Sequence, residues 1–421
     1  MFRPRCEVAT GYCLSESAKG DAMANQSIAT PFSCDISKAA ALKFVLFVGV
    51  VSLFSDFTYE GARSITGPFL AILGASGTIV GIVAGFGELI GYGLRLASGY
   101  WADRTGRYWT IIFFGYGMNL LAVPLLALAG RWEVAAALMV AERMGKAIRI
   151  PARDVMLSCA SEPVGRGWAF GLHEAMDQIG AVLGPLVVAA VFHLGGGYQT
   201  SFGILLFPAL IALGVLFAAK LSYPNPSDLQ PASIIVEGKG YPRTFWLYVF
   251  AVGFIAAGYA DFPLVAYHFK KASVAPDYWI PIFYAVAMGV DAVAALLLGR
   301  LFDRIGFSVL IFAVILSAFF APLVFWGGFY SALLGMALWG VGMGAQESVM
   351  RAAIAEMVPA NRLGLAFGVL NTAYGIFWFG GSVLMGVLYD FSVVTLIGFS
   401  VVIQLASILL LLAAHRQTAP R

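Results

Sequence analysis

Gly99-Tyr100-Trp101-Ala102-Asp103-Arg104-Thr105-Gly106-Arg107 is a short charged island between two long apolar segments. Asp103 and the arginines are too costly to place in hydrocarbon, so the island marks a membrane surface. A relative of it, Gly299-Arg300-Leu301-Phe302-Asp303-Arg304-Ile305-Gly306, follows about 200 residues later. A second echo has nearly the same offset: Ala169-Phe170-Gly171 behind Arg166, and Ala366-Phe367-Gly368 behind Arg362. Two independent matches at one spacing indicate two homologous halves. Halves repeated in this way place a substrate cavity between them, near the middle of the membrane.

Composition agrees. Of 421 residues, 60% are hydrophobic and 12% charged, about half the charged share of a soluble domain. The apolar runs are continuous rather than alternating, which excludes a β-barrel and points to an all-α polytopic membrane protein. A formal charge of +3 is too small to suggest nucleic-acid binding. Cys6, Cys13, Cys34 and Cys159 lack metal-ligand spacing and are expected to be free thiols. No Walker A loop, metal-ligand cluster or sizeable soluble domain is present, so neither an enzyme nor an ATP-driven pump is expected, and no cofactor or metal.

Residues 1–38 are polar, lack a signal-peptide pattern and are expected to be a disordered tail, with Met23 an alternative start. Six spans over 39–221 form an N-terminal bundle, 222–243 a polar linker, and six spans over 244–414 a C-terminal bundle, followed by a short tail, 415–421. Spans are expected at about 41–72, 77–101, 108–130, 132–157, 166–193 and 199–221. The second half supplies 244–269, 278–300, 307–327, 331–356, 364–389 and 393–414. Basic residues concentrate in loops of one parity, including Arg104, Arg107, Arg166, Lys220, Arg300, Arg304 and Arg362. By the positive-inside rule both termini and the linker are cytoplasmic, and the protein sits in the cell inner membrane.

The pattern Gly99-x-x-Ala-Asp103-Arg104-x-Gly106-Arg107, with twelve spans and its weaker echo, resembles the signature of the major facilitator superfamily over the whole chain after residue 40. Trp101 and Tyr108 depart from the usual pattern only at its periphery. The resemblance implies two pseudo-symmetric six-helix bundles that alternate access to a central site. It also implies a gating latch at the island: Gly99, Asp103, Arg104, Gly106 and Arg107, joined by Arg153 and Asp154, with Asp303 and Arg304 as the second copy. Gly180-Ala181-Val182-Leu183-Gly184-Pro185 resembles the motif enriched in the drug:proton antiporter branch. Physically, Gly180, Gly184 and Pro185 are suited to close helix packing.

Ionisable residues within spans are candidate sites by default. Asp56, Glu60 and Arg63 share one helix face, at i, i+4 and i+7. Glu142, Lys146, Arg149 and Arg153 form a stripe on the fourth helix, and His173 can meet Asp177 at i, i+4 on the fifth. Asp56, Glu60, Glu142, Glu174 and Asp177 are candidate proton carriers. Arg63, Lys146, Arg149 and His173 are candidate contacts for an anionic or zwitterionic substrate. The second half is sparser, with Asp261, His268, Asp291, Glu347 and Arg351, and with Tyr259, Trp339, Tyr374 and Trp378 as candidate pocket aromatics. The expected function is proton-coupled transport of a small-molecule substrate by a monomer in contact with membrane lipid, with export favoured. Uptake of an organic anion by symport is the alternative; from another class comes a non-coupled lipid-handling or receptor-like protein.

Overall fold

The computed structural model describes residues 37–224, 241–358 and 363–418, all helical apart from short connections. The first half comprises α1 (Lys38–Ile72), α2 (Gly77–Thr105), α3 (Tyr108–Leu125), α4 (Trp132–Ala160), α5 (Arg166–His193) and α6 (Tyr198–Ile204, continuing as Leu206–Ser222). The second comprises α7 (Arg243–Gly258 and Phe262–Lys271), α8 (Trp279–Ile305), α9 (Ser308–Ala318 and Phe320–Phe325), α10 (Phe329–Gly344, a π turn Ala345–Val349, then Met350–Met357), α11 (Leu363–Phe391) and α12 (Val393–Thr418). Ten of these twelve are long and apolar enough to cross a membrane among the described residues. The other two are α4, with its charged stripe, and α10, which the π turn interrupts. The protein is an all-α polytopic membrane protein.

Local chemistry sets the ends. Ser37 and Ser76 cap α1 and α2 by accepting from Ala40 N and Ile79 N, each at 3.2 Å, which satisfies amides that have no partner within the helix. Both charged islands stop at a glycine in a backbone region that side chains avoid, Gly106 at φ 63° and Gly306 at φ 60°. The echo read from sequence is therefore an echo of helix termination as well.

Within the first half, α1 packs on α5 and α6, and α4 on α2 and α3. Within the second, α8 packs on α10, and the first segment of α7 on α11 and α12. The halves meet through α1 against the second segment of α7, α2 against α11, and α5 against α8. A side chain at Gly180 or Gly184 would run into the backbone of Leu53, Phe57 and Gly61 on α1, so these glycines let α5 lie directly on α1.

Departures from the sequence reading include interruptions in α6, α7, α9 and α10 and the state of one cysteine. The seventh span is not continuous: α7 breaks at Tyr259-Ala260-Asp261, immediately before Phe262-Pro263. Proline disfavours helical geometry in the residue before it and lacks an amide proton, so the ladder stops and restarts. Two carbonyls at the break are held by side chains: Gly258 O accepts from Ser400 Oγ (2.6 Å) and Gln404 Nε2 (3.1 Å), and Ala260 O from Trp339 Nε1 (3.0 Å). Such substitution lets an irregular backbone lie at membrane depth. Cys159, expected as a free thiol, is disulfide-bonded. Most of the polar tail and of the linker, Arg362 and the last three residues lie outside the described residues.

Candidate functional site

A cavity of about 590 Å³ lies between the halves, lined from α1, α2, α4 and α5 on one side and from α8, α10 and α11 on the other. Its lining includes Arg95, Arg153, Glu174, Arg351 and Phe367, all in the helix portions nearest the face that carries the two Asp-Arg islands. Its volume suits a small organic solute, for which pockets typically run about 300–1,000 Å³.

Arg63 is the hub of its ceiling. It pairs with Asp261 on α7 at 2.7 Å, Glu88 on α2 at 3.4 Å and Glu60 one turn back at 3.9 Å. Asp261 is 3% exposed; the break in α7 frees it from a helical register and leaves it facing Arg63, and Trp378 Nε1 donates to its other oxygen at 3.4 Å. Glu60 accepts from Tyr284 of α8 at 2.5 Å, and Arg143 closes the network on Glu88 (3.3 Å) and Glu142 (3.4 Å). A buried ion network spanning two bundles is costly to break from either side.

Deeper on the island side, Lys146 donates to the Tyr59 hydroxyl, which donates to Asp56 Oδ2 at 3.0 Å. His173 Nε2 lies 3.6 Å from Asp177 and 3.4 Å from Ser52 Oγ. Gln178 Nε2 reaches across to Asp291 on α8 at 3.5 Å. Arg149 is buried, with its guanidinium 4.1 Å over the Tyr116 ring and no carboxylate within ion-pair distance among the described residues. The cavity thus gathers Asp56, Glu60, Arg63, Lys146, Arg149, His173, Glu174 and Asp177 into one site. Glu142 turns away from it, accepting from Asn119 of α3 at 2.7 Å. Trp339, Tyr374 and Trp378 line the second-half wall, whereas Tyr259 is fully buried and donates to Trp339 O.

This architecture is matched by comparison with known proteins. Residues 47–382 fit the family described as the Major Facilitator Superfamily. The chain belongs to that superfamily. It is 39% identical over 381 residues to an uncharacterized protein of Mycobacterium tuberculosis, covering 89% of this chain and 93% of the relative. It is 25% identical over 366 residues to an uncharacterized MFS-type transporter of Methanocaldococcus jannaschii, covering 83% and 89%. A solved structure of the nucleoside transporter NupG superposes with a TM-score of 0.73 at 12% identity, over 87% of this chain and 99% of that one; at that identity the likeness is one of fold. The protein is a membrane transporter of the MFS type.

In MFS terms the island residues lie apart from the cavity residues expected to join them. Asp103, Arg104 and Arg107 are exposed. Asp103 accepts from Tyr108 of the next helix at 3.3 Å, and Arg104 donates to Tyr100 at 3.1 Å. Gly99 faces Pro151 of α4 at ordinary contact distance. Arg153 and Asp154 pair with each other at 2.8 Å, and Arg153 also donates to Ser52 at 3.2 Å. Asp303 and Arg304 are exposed.

The opposite face carries a contact that the sequence did not disclose. Asp390, at the end of α11, accepts from Gly77 N (2.9 Å), Thr78 N (2.7 Å) and Thr78 Oγ1 (2.7 Å) at the start of α2. A carboxylate from one half thus caps a helix of the other, and nothing local in either stretch announces it. Asp261, by contrast, had a readable signal in Asp-Phe-Pro within an apolar span, a combination that stops a helix and leaves an acid at the stop.

Proposed function

We propose that the protein is a proton-coupled secondary transporter that moves a small polar organic solute across the inner membrane by alternating access, with both termini cytoplasmic and bundles at 39–221 and 244–414. The observation that carries this reading is the Arg63–Asp261–Glu88–Glu60 network, which ties the two halves by charge at the ceiling of the cavity. Protonation of Asp261, the carboxylate that comes from the second half, removes the charge pair between the halves, and that is the linkage a proton-driven carrier needs. Glu174, exposed in the cavity, and Asp177 beside His173 offer a route for protons from the island face.

Export by antiport is the favoured direction, on the resemblance of Gly180–Pro185 to the motif of the drug:proton antiporters. Symport of an organic anion is the second reading, favoured by the unpaired arginine on the cavity wall. Solutes that raise the unfolding midpoint of the purified protein are the starting set for the test. Each is then added to proteoliposomes holding an internal pH dye and an imposed proton gradient. At least one is expected to dissipate the gradient, and Glu60→Gln and Asp177→Asn to slow it about tenfold or more. If solute flux proceeds without proton movement, or no neutralisation of Asp56, Glu60, Glu174 or Asp177 alters its pH dependence, the coupling reading fails.

A further inference from the structure

We infer that Arg149 is the docking point for an oxyanion group of the transported solute, a carboxylate or a phosphoryl group, so that the cargo is anionic at one end. This rests on the proposal that the central cavity is the transport site. Arg149 is 1% exposed, and its Nε and Nη1 have no hydrogen-bond partner among the described residues, yet the residue lines the cavity. A guanidinium stays protonated in any protein environment, so its burial with no carboxylate in direct contact is unfavourable unless something supplies one.

The neighbouring arginines show what ordinary neutralisation looks like here. Arg63, Arg143 and Arg153 each hold a carboxylate at 3.4 Å or less. Arg149 does not, although Asp56 and Asp177 share its cavity. Asp56 is occupied by the Tyr59 hydroxyl, and Asp177 is turned to His173. The planar group is instead held against the Tyr116 ring. A Cβ at Gly115 would collide with the backbone and Cβ of Arg149, so α3 and α4 press together at this level and fix the side chain's root.

The result is a rigid fork of donors with vacant hydrogen-bonding capacity, the geometry that matches a carboxylate or phosphoryl group. Lys146, one turn away on the same stripe, donates to Tyr59 and is likewise free of an ion pair with any described carboxylate. It adds a second positive charge to the wall that an incoming oxyanion would face.

The test uses the full chain in lipid nanodiscs. Benzoate, phenylphosphonate and benzylammonium, all as chloride-balanced salts at one ionic strength, are titrated while the unfolding midpoint is followed. An oxyanion is expected to raise the midpoint by roughly 2–4 °C at saturation and benzylammonium to leave it unchanged. The larger of the two oxyanion shifts tells carboxylate from phosphoryl. Arg149→Gln is expected to weaken the effect at least tenfold, and Arg149→Lys, which keeps the charge and the fold but loses the fork, to weaken it severalfold. In the unmutated protein, phenylglyoxal labelling of Arg149 read by peptide mapping is expected to slow when the oxyanion is present.

The inference is overturned if neither oxyanion shifts the midpoint, if Arg149→Gln responds as the parent does, or if labelling of Arg149 is not protected. Binding is measured without a proton gradient, so a failure here leaves the coupling reading standing. Arg149-dependent binding without proton flux would fault the coupling alone.

Discussion

The two ends of α2 carry the same kind of residue and treat it in opposite ways. At its start, amide groups at 77 and 78 meet the carboxylate of Asp390 from the other half. At its finish, Asp103 stands exposed and accepts from the neighbouring Tyr108. The helix dipole explains the asymmetry. A negative charge is favoured at a helix N-terminus and disfavoured near a C-terminus, so Asp390 is at ease where it lies and Asp103 is not. The face sealed by Asp390 is closed in this conformation, and the face that bears Asp103 is the one towards which the cavity extends. Asp103 thus gains nothing from its own helix dipole, whereas Asp390 gains from that of α2.

The comparison is broken most severely at the pair between the two ends. Arg63→Gln leaves Asp261 buried opposite a neutral group. It is expected to destabilise this conformation by about 3–5 kcal/mol, read as a lower unfolding midpoint. Arg63→Gln with Asp261→Asn should recover part of the loss, because no charge then stands unpaired; a double variant as unstable as the single would show that the pair is not what holds the ceiling.

At the sealed end the effect is smaller. Asp390→Ala removes a cap worth about 0.5–2 kcal/mol and should shift the population towards a structure open on the Asp390 face. Spin labels at the exposed positions Ile72 and Val394 report it as a longer distance; no change would mean that the cap follows closure without helping it. At the island end, Asp103→Asn should leave the midpoint within about 0.5 kcal/mol of the parent, while slowing transport turnover with substrate affinity kept. Labels at Trp101 and Leu365 follow that face, and a loss of affinity alone would remove Asp103 from gating.

Much of the fold is legible in the chain because hydropathy, island and echo all act locally. An all-α polytopic fold, glycine-terminated islands and the close packing that Gly180 and Gly184 allow follow from such signals. The common face of Asp56, Glu60 and Arg63 is readable from spacing alone, and all three line the cavity. What spacing cannot state is the partner. A desolvated Arg63 demands a counter-charge, but that the demand is met by Asp261, 198 positions away, depends on how two bundles dock. The same holds for Asp390, more than 300 positions from the helix it caps. For Arg153 and Asp154 the sequence placed a latch beside Asp103, yet in this conformation the two pair with each other.

The interrupted α7 has a mechanical meaning. An unbroken membrane helix is stiff, since bending it opens carbonyls to hydrocarbon. In α7 those carbonyls are already held by Ser400, Gln404 and Trp339, none of which belongs to the segment beyond the break. Phe262–Lys271 is therefore set apart from the first segment at a joint where the carbonyls of Gly258 and Ala260 keep hydrogen-bond partners. Asp261, the residue at that joint, is the one that Arg63 grips.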